Sequence, residues 1–304
     1  MIVVTGGLGF IGSNLIKKLN NKKINDIILV DNIDKNGNYK NLEGLKFNDF
    51  YSSNDFLNNI ENISNIKYIF HLGACSSTTE MNGDYLYNNN FLYSRKLIDY
   101  CSSKKIPITY ASSASVYGLG NYGFDEEKRM ESPLNLYAAS KFLIDNYVIS
   151  NKFNCSVSGL RFFNVYGPGE KHKGDMKSVI GKFLDNIKST DSLQLFEGSD
   201  NIYRDFIFID DVCDICMFFL ENNFSGLYNV GTGNKNSFME IYDIINSHLK
   251  KIRLEIIPFP KVLNGKYQFN TIANIDKLRK IGYKNNFTKL KDGIINYSKT
   301  IKND

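Results

Sequence analysis

A tyrosine and a lysine four residues apart, Tyr137 and Lys141, are a pair that can transfer protons. On a helix this spacing places both side chains on one face. The reference pKa of tyrosine, about 10, is too high for a base at neutral pH, and we expect the Lys141 ammonium and a positive nicotinamide ring to lower it. Ser113 ends a strand upstream and can hydrogen-bond the reacting oxygen. The three residues predict proton transfer at an alcohol while hydride leaves the same carbon.

Three glycines, Gly6, Gly9 and Gly12, follow the first apolar strand and begin a helical pattern. Glycine permits a turn with positive φ and lets the backbone approach a pyrophosphate, and a helix N-terminus attracts an anion. Asp31 ends the second strand about twenty residues beyond the last glycine, where a carboxylate reaches an adenosine ribose. The pattern predicts a bound nicotinamide dinucleotide, and the alternative is a structural glycine turn in another α/β fold.

The residues after the second strand bear on the choice between NAD and NADP. The carboxylate of Asp31 would repel a 2′-phosphate. Asn32 can donate to such a phosphate, and Lys35 or Lys40 can neutralise it. These residues are therefore compatible with either NAD or NADP.

Alternating strands and helices must position these groups. Nearly all-apolar strand patterns lie at 2–5, 27–31, 68–72, 107–111 and 157–162. Helical patterns lie between them at 12–20, 54–62, 84–104 and 136–150. Apolar strands that alternate with helices are typical of a parallel sheet with helices on both faces. The expected fold is α/β, a doubly wound parallel sheet of the Rossmann type.

The second half has a looser pattern, and we expect the parallel sheet to end near the turn-rich segment 164–169. We predict strands near 193–196, 206–208 and 227–230, and helices near 176–188, 211–221, 238–249, 274–281 and 288–301. Residues 1–166 are the expected dinucleotide-binding domain, to which the chain returns near 205–231. Residues 167–304 are expected to form mainly a smaller mixed α/β substrate domain.

The composition is that of an ordinary globular protein, with 304 residues, 42% hydrophobic residues and a net charge of +5. No block of like charge is long enough to predict a nucleic-acid or membrane partner. No apolar run approaches the roughly 20 residues that span a bilayer, and the N-terminus enters a strand pattern directly. We therefore expect a cytoplasmic protein.

The cysteines and histidines predict neither disulfides nor a metal site. Five cysteines are an odd number, which favours reduced thiols. Cys213 and Cys216 form a C-x-x-C inside an apolar helical pattern, so we interpret them as core residues. The three histidines are too few and too separated for a metal site.

Together, Gly6, Gly9, Gly12, Ser113, Tyr137 and Lys141 resemble the extended short-chain dehydrogenases/reductases that act on nucleotide sugars. Further segments resemble one family among them, the ADP-L-glycero-D-manno-heptose 6-epimerases. These segments are 73–80, 161–168, 172–174, 195–199, 204–206 and 265–268. The resemblance covers essentially the whole chain.

The resemblance implies an enzyme that inverts C6 of ADP-D-glycero-D-manno-heptose and so supplies a lipopolysaccharide inner-core precursor. It implies a tightly held NADP and a homo-oligomer, typically a pentamer. The implied dinucleotide contacts are Phe10, Ile11, Asp31, Asn32, Leu72, Gly73, Ala74, Cys75, Ser76, Asn89, Lys141, Val165 and Lys173. The implied contacts to the sugar nucleotide are Asn164, Phe196, Glu197, Gly198, Ser199, Arg204 and Tyr267.

The chain departs from the family pattern at four positions. Asn38 and Ser53 stand where the family has a lysine near the adenosine phosphate. Without these lysines the case for NADP over NAD is weaker, and NAD is the alternative cofactor. Asp175 and Lys182 stand where the family has a serine and a histidine at the substrate. We keep both as predicted substrate-binding positions.

Inversion at a secondary alcohol needs an acid/base group on each side of the carbon, and Tyr137 and Lys173 are the candidates. A solvated lysine is the alternative for Lys173. Arg204 can bind a diphosphate bidentately, a geometry that lysine does not offer. The alternative for Arg204 is an ion pair with Asp205 or Asp210.

Other functions on the same scaffold are less consistent with the residues. A sugar-nucleotide 4,6-dehydratase would have a carboxylate pair after the catalytic serine, where this chain has Ala114 and Ser115. A UDP-hexose 4-epimerase is the nearer alternative. A non-catalytic dinucleotide sensor would typically have lost Tyr137 or Lys141, and both are present.

Overall fold

The computed structural model describes residues 1–126, 130–261, 265 and 267–301. The strands in chain order are β1 Ile2–Thr5, β2 Ile27–Val30, β3 Asp49–Tyr51, β4 Tyr68–His71, β5 Ile108–Ser113, β6 Val157–Phe162, β7 Asn164–Tyr166, β8 Ser192–Phe196, β9 Tyr203–Arg204, β10 Phe206–Phe208, β11 Gly226–Val230, β12 Asn236–Ser237 and β13 Arg253–Ile257. The α-helices are α1 Phe10–Asn21, α2 Ser53–Asn59, α3 Gly83–Leu86, α4 Tyr93–Lys104, α5 Leu136–Ser150, α6 Val179–Ser189, α7 Ile209–Glu221, α8 Phe238–His248, α9 Asp276–Lys280 and α10 Leu290–Ile301.

A seven-stranded parallel sheet with the strand order β3-β2-β1-β4-β5-β6-β11 lies at the centre of the described chain. Successive residues of a strand face opposite sides, so Val4 packs in the core on one face and Val3 in the core on the other. The first core includes residues of α1 and α7, and the second includes residues of α2, α4 and α5. The predicted doubly wound Rossmann-type sheet is confirmed.

The strand order reverses between β1 and β4, and the carboxyl ends of these two parallel strands lie side by side. Thr5, the last residue of β1, pairs with His71, the last residue of β4. In open α/β sheets ligands bind in the crevice at such a switch point, outside the carboxyl ends of the strands. The fold therefore places a binding crevice between the segments that follow Thr5 and His71.

The turn-rich segment 164–169 had led us to expect that the parallel sheet ends after β6. The structure shows that it does not. β11 adds a further parallel strand beside β6, with Leu227 opposite Gly159. The remaining strands form two-stranded sheets, β7 with β10, β9 with β12 and β8 with β13. Several of these strands have only two or three residues, too few to show a periodic pattern.

The predicted helix over 84–104 is divided into α3, a π-helical stretch at Tyr87–Leu92 and α4. Cys213 and Cys216 are free thiols buried in α7, as predicted. Among the described residues, no helix is long and apolar enough to cross a membrane.

Candidate active site

A cleft of about 420 Å³ lies at the switch point of the sheet, between the glycine loop and the segment after β4. Most predicted dinucleotide contacts line it, namely Gly6, Gly9, Phe10, Ile11, Gly12, Asp31, Leu72, Gly73, Ala74, Cys75, Ser76 and Lys173. The glycine loop and the segment after β4 therefore form the two walls of one cleft.

The glycine loop is packed too closely for side chains at two positions. Gly6 has φ +70°, and a Cβ there would lie 2.6 Å from the Gly73 nitrogen. A Cβ on Gly12 would lie 2.1 Å from the Gly6 carbonyl oxygen. Helix α1 begins behind Gly9 with no side-chain cap and no acidic residue in its first turn. A backbone cradle and unoccupied helical N–H groups fit a pyrophosphate.

The carboxylate of Asp31 reaches the glycine loop. Its Oδ2 accepts from the Leu8 N–H at 2.8 Å, and its Oδ1 accepts from the Asn32 N–H at 2.8 Å. Burial raises the pKa of this carboxyl, and these backbone donors oppose the rise. Asp31 thus supports the loop and also lines the cleft.

Two polar side chains brace the loop after β2. Asn38 is buried, and it donates to the Asn32 carbonyl at 2.8 Å and accepts from the Asp34 N–H at 3.0 Å. Asn32 does not line the cleft, since its side chain accepts from the Ser53 N–H at 3.1 Å. Asn38 and Asn32, the two positions that the sequence had suggested for contacts to an adenosine phosphate, therefore form hydrogen bonds that organise the loop after β2.

A second cleft, of about 680 Å³, adjoins the first and shares Asn36 and His172 with it. Its lining carries several cationic side chains, Lys17, Lys40, Lys171, Lys177 and Lys188. Glu43 and Asp185 also line it, and Lys177 pairs with Asp185. The surroundings of the second cleft are predominantly basic.

Asn90, which sequence analysis missed, connects the loop after β4 to α5, the helix that carries Tyr137 and Lys141. It is fully buried in the π-helical stretch, accepts from the Cys75 N–H at 2.8 Å and donates to the Cys75 carbonyl at 3.0 Å. It also donates to the Ser140 hydroxyl at 3.0 Å, one residue before Lys141. The predicted Asn89 instead donates to the Asn90 side chain at 3.3 Å and does not line the cleft. The π-helical geometry, which sequence periodicity does not reveal, turns Asn90 inward.

A third cleft, of about 580 Å³, adjoins the dinucleotide cleft and shares Phe10, Ile11 and Lys173 with it. The predicted catalytic and substrate residues that line it are Ser113, Tyr137, Lys141, Asn164, Lys173, Asp175, Arg204 and Tyr267, and the predicted dinucleotide contact Val165 lines it as well. The structure thus brings together residues from β5, α5, β7, β9 and the loop before α6.

Tyr137 is buried, and burial raises its pKa, while the Ser113 hydroxyl opposes that rise. The Lys141 ammonium donates to the Ala111 carbonyl at 2.7 Å, and the lowering of the Tyr137 pKa expected from Lys141 and a nicotinamide ring stays a prediction. Burial lowers the pKa of Lys141 to about 8. In this arrangement the Ser113 hydroxyl favours the ionised phenol.

Lys173 lies against the ring of Phe10, with its Nζ 5.5 Å from the ring centroid. Burial lowers the pKa of this lysine, and Glu170 opposes the change. Glu170 is itself fully buried and accepts from the Ser178 N–H at 2.7 Å and the Ser178 hydroxyl at 2.6 Å. Lys173 is therefore a partly desolvated amine at the junction of two clefts rather than a solvated lysine.

Arg204 is 8% exposed and lies between two aromatic rings, 5.5 Å from the Phe238 centroid and 5.1 Å from the Tyr267 centroid. Its guanidinium donates to the Tyr203 carbonyl at 2.9 Å. Within the described ranges it forms no ion pair. Asp205, the suggested partner, accepts instead from the N–H groups of Thr232, Gly233 and Ala273. The ion-pair alternative for Arg204 is therefore wrong.

Some predicted substrate residues lie elsewhere. Lys182 and residues 196–199 do not line the third cleft, so their roles stay predictions. Phe196 packs edge-on against Phe259, which packs against Tyr267. Lys266, part of a segment that carried the resemblance, lies outside the described residues. No group of three metal-ligating side chains is found among the residues described.

Residues 2–231 match the model of the NAD dependent epimerase/dehydratase family. The chain therefore belongs to the NAD dependent epimerase/dehydratase family. The family description supports a nicotinamide cofactor, as predicted, without distinguishing NAD from NADP.

Relatives within this family make the comparison more specific. The chain is 46% identical over 310 aligned residues to the ADP-L-glycero-D-manno-heptose-6-epimerase of Brachyspira hyodysenteriae, with 99% of this chain and 98% of that protein covered. The crystal structure of the Helicobacter pylori ADP-L-glycero-D-manno-heptose-6-epimerase matches with a TM-score of 0.89 at 31% identity, over 99% of this chain and 96% of that one. A UDP-N-acetylglucosamine 4-epimerase from Methanobrevibacter ruminantium matches with a TM-score of 0.87 at 26% identity, over 100% of this chain and 98% of that one. The predicted resemblance to the heptose epimerases is confirmed.

Proposed function

We propose that this enzyme inverts C6 of ADP-D-glycero-D-manno-heptose to give the L-glycero epimer. One structural observation carries the proposal. The cleft that holds Ser113, Tyr137 and Lys173 also holds Arg204, a buried cation without an ion-pair partner in the described chain. A buried unpaired cation is costly, and the diphosphate of a nucleotide sugar would compensate it. The named activity of the relatives supports the same substrate.

The chemistry at C6 follows from the substrate. C6 carries a secondary alcohol without an acidic neighbouring proton, so inversion is easiest through oxidation to a ketone, reorientation and reduction from the other face. A bound nicotinamide dinucleotide supplies the hydride acceptor and donor for this carbon. Tyr137 takes the hydroxyl proton in one orientation, and Ser113 holds the oxygen.

Lys173 is the proposed acid/base in the second orientation. It lines the cleft together with Tyr137 but comes from a different element, the segment before α6. Burial lowers the pKa of its ammonium, which makes proton exchange at neutral pH easier. Two groups from separate elements fit a ketone that reacts in two orientations.

For the cofactor we propose NADP, with NAD as the alternative. The glycine cradle and the uncapped start of α1 fit the pyrophosphate of either dinucleotide. The basic second cleft beside Asn36 supports NADP, because Lys40 on its wall can compensate a 2′-phosphate. Asp31 supports NAD, since this acidic residue lines the first cleft.

We also propose a cytoplasmic homo-oligomer, a pentamer by family resemblance. Large apolar side chains are exposed near the N-terminal part of α5 and the π-helical stretch, including Tyr85, Tyr87, Leu136 and Leu143. Exposed apolar patches are typical of subunit contacts. Light scattering coupled to gel filtration measures the subunit number, and a monomeric mass would contradict this part of the proposal.

Mass spectrometry of the denatured, freshly purified protein tests the proposed function. We expect a released nicotinamide dinucleotide, whose mass distinguishes NADP from NAD, together with any co-purified ADP-heptose. A co-purified UDP-hexose would contradict the proposal and favour the alternative found in sequence analysis, a UDP-hexose 4-epimerase.

A further inference from the structure

A buried charged cluster joins α5 to the strands β5 and β6. Arg161 is fully buried, and its Nε donates to the Asp145 carboxylate at 2.8 Å. One terminal nitrogen donates to Glu131 at 2.6 Å, and the other donates to the Tyr117 hydroxyl at 2.8 Å. The mechanism described above does not use this cluster.

Asp145 forms hydrogen bonds with two residues of β5, Tyr110 and Ser112, which flank Ala111. Its Oδ1 accepts from the Tyr110 hydroxyl at 2.8 Å, and its Oδ2 accepts from the Ser112 hydroxyl at 2.8 Å. The residue between these donors is Ala111, whose carbonyl accepts from the Lys141 ammonium at 2.7 Å. Asp145 also lies one helical turn after Lys141, on the same face of α5. Asp145 therefore braces both the helix that carries Lys141 and the strand that receives its ammonium.

The charges of the cluster favour a protonated Lys141. Asp145 and Glu131 carry two negative charges against the single guanidinium of Arg161. One negative charge is left over among these residues, next to a lysine that is only 5% exposed. A buried lysine otherwise tends to lose its proton. The titratable groups around this pair are Tyr137, Cys75 and His71 near Lys141, and Tyr110, Tyr117, Arg161, Glu131 and the buried Glu126 on the side of Asp145.

We propose that Asp145 is a positioning residue, whose carboxylate keeps Lys141 protonated and aligned beside Tyr137, an inference that rests on the proposed function. Cys75 contributes little negative charge, since burial raises the pKa of its thiol. His71 is neutral in this environment because burial lowers its pKa to about 3. Asp145 is thus the anionic group nearest to Lys141 in the sequence, and it lies on the same face of α5 as Lys141.

The test compares Asp145→Asn with Glu131→Gln, a matched loss of one carboxylate from the same cluster. Two readouts are taken, the pH profile of turnover and the titration of the Lys141 ¹³Cε resonance, assigned with Lys141→Met. We expect Asp145→Asn to move the alkaline limb and the Lys141 titration to lower pH by roughly one unit, since a negative charge one turn away is lost. Glu131→Gln should move neither by more than about a third of that, and Asp145→Glu should restore both.

An unmoved Lys141 titration in Asp145→Asn, or an equal movement in Glu131→Gln, would overturn the proposal. If Asp145→Asn does not fold, two other measurements decide. Lys141 of the native protein should titrate above pH 7, and a titration below that value overturns the proposal. Ser112→Ala keeps the carboxylate and removes one donor to it, so it should lower the melting temperature without moving the titration, and a movement overturns the proposal. The titration needs no substrate, so it separates this inference from a failure of the proposed epimerisation.

Discussion

Tyr137 and Lys141 are both buried, and burial changes their pKa values in opposite directions, raising the tyrosine and lowering the lysine. Both shifts favour the neutral forms, a phenol and an amine. The Ser113 hydroxyl opposes the shift at Tyr137, and Asp145 opposes the shift at Lys141. The local partners of each residue therefore control how readily it exchanges a proton.

Replacing Tyr137 with phenylalanine removes only the phenol oxygen. We expect turnover to fall by at least roughly 10²-fold, the usual size of a general acid/base contribution, while the protein stays folded. Tyr147→Phe is the matched control in the same helix, because its hydroxyl bonds Asp99 outside the cleft. Near-normal epimerisation by a folded Tyr137→Phe protein would refute the assignment.

Replacing Lys173 with methionine separates inversion from simple oxidation. A one-way oxidation needs a single base, whereas inversion needs proton transfer in two orientations, so we expect inversion to fall roughly 10²-fold while dinucleotide stays bound. A half-reaction on an aldehyde analogue at C6 should survive better than inversion. Lys96→Met, at an exposed position of α4 away from the three clefts, is the control. Unchanged inversion in Lys173→Met would place the second base elsewhere, and His172 would be tested next.

The two contacts of Asp31 predict a two-part effect on cofactor binding. Asp31→Ala removes the acceptor of the Leu8 N–H, which should weaken NAD and NADP alike. It also removes a carboxylate that favours the 2′-hydroxyl and repels the 2′-phosphate, so NAD should lose more affinity. Titration calorimetry of both cofactors measures the difference, with Asp49→Ala on the edge strand as control. Equal losses would show that Asp31 only supports the loop.

Sequence spacing could predict Ser113, Tyr137 and Lys141, because chemistry at a strand end and across one helical turn is local. It could not predict Asn90 or the Asp145–Arg161 pair. Their importance depends on partners far apart in the chain, such as Asn90 with Ser140 and Arg161 with Glu131. Spacing also does not reveal that the Lys141 ammonium has a backbone acceptor, the Ala111 carbonyl.

At the scale of elements, the glycine loop and α1 form one tightly packed unit with the segment after β4. A Cβ at Gly12 would collide with the Gly6 carbonyl oxygen at 2.1 Å. We therefore expect Gly12→Ala to lower the dinucleotide content of the purified protein at least tenfold and to reduce the melting temperature. Gly83→Ala is the control, since a Cβ there meets nothing within 4 Å. Full dinucleotide content in Gly12→Ala would contradict the cradle.

The long apolar elements were predictable because periodicity and strand composition report burial directly. Helix α5 and strand β6 have the predicted bounds, 136–150 and 157–162. Strand β3 was missed because its three residues are partly exposed and show no alternation. A strand near 227–230 and a return of the chain near 205–231 were expected, but not the parallel pairing of β11 with β6, a segment more than sixty residues away. Such pairing leaves no local signal.

At the scale of the whole molecule, three clefts meet around the carboxyl end of one sheet. The first and third clefts share Phe10 and Lys173, and the basic second cleft adjoins the first at Asn36. Arg204 lies on β9, outside the main sheet, and lines the third cleft. This arrangement supports the proposal that a dinucleotide binds in the first cleft and a nucleotide sugar in the third, with their reacting ends next to Tyr137.

Epimerisation of ADP-D-glycero-D-manno-heptose by the purified protein, followed by NMR in D₂O, tests this account most directly. Because the same hydride leaves and returns to C6, we predict conversion to the L-glycero epimer without added cofactor and without deuterium at C6. UDP-glucose should not be converted under the same conditions. Absence of conversion of the ADP-heptose by dinucleotide-loaded protein, or deuterium at C6 of the product, would contradict the account.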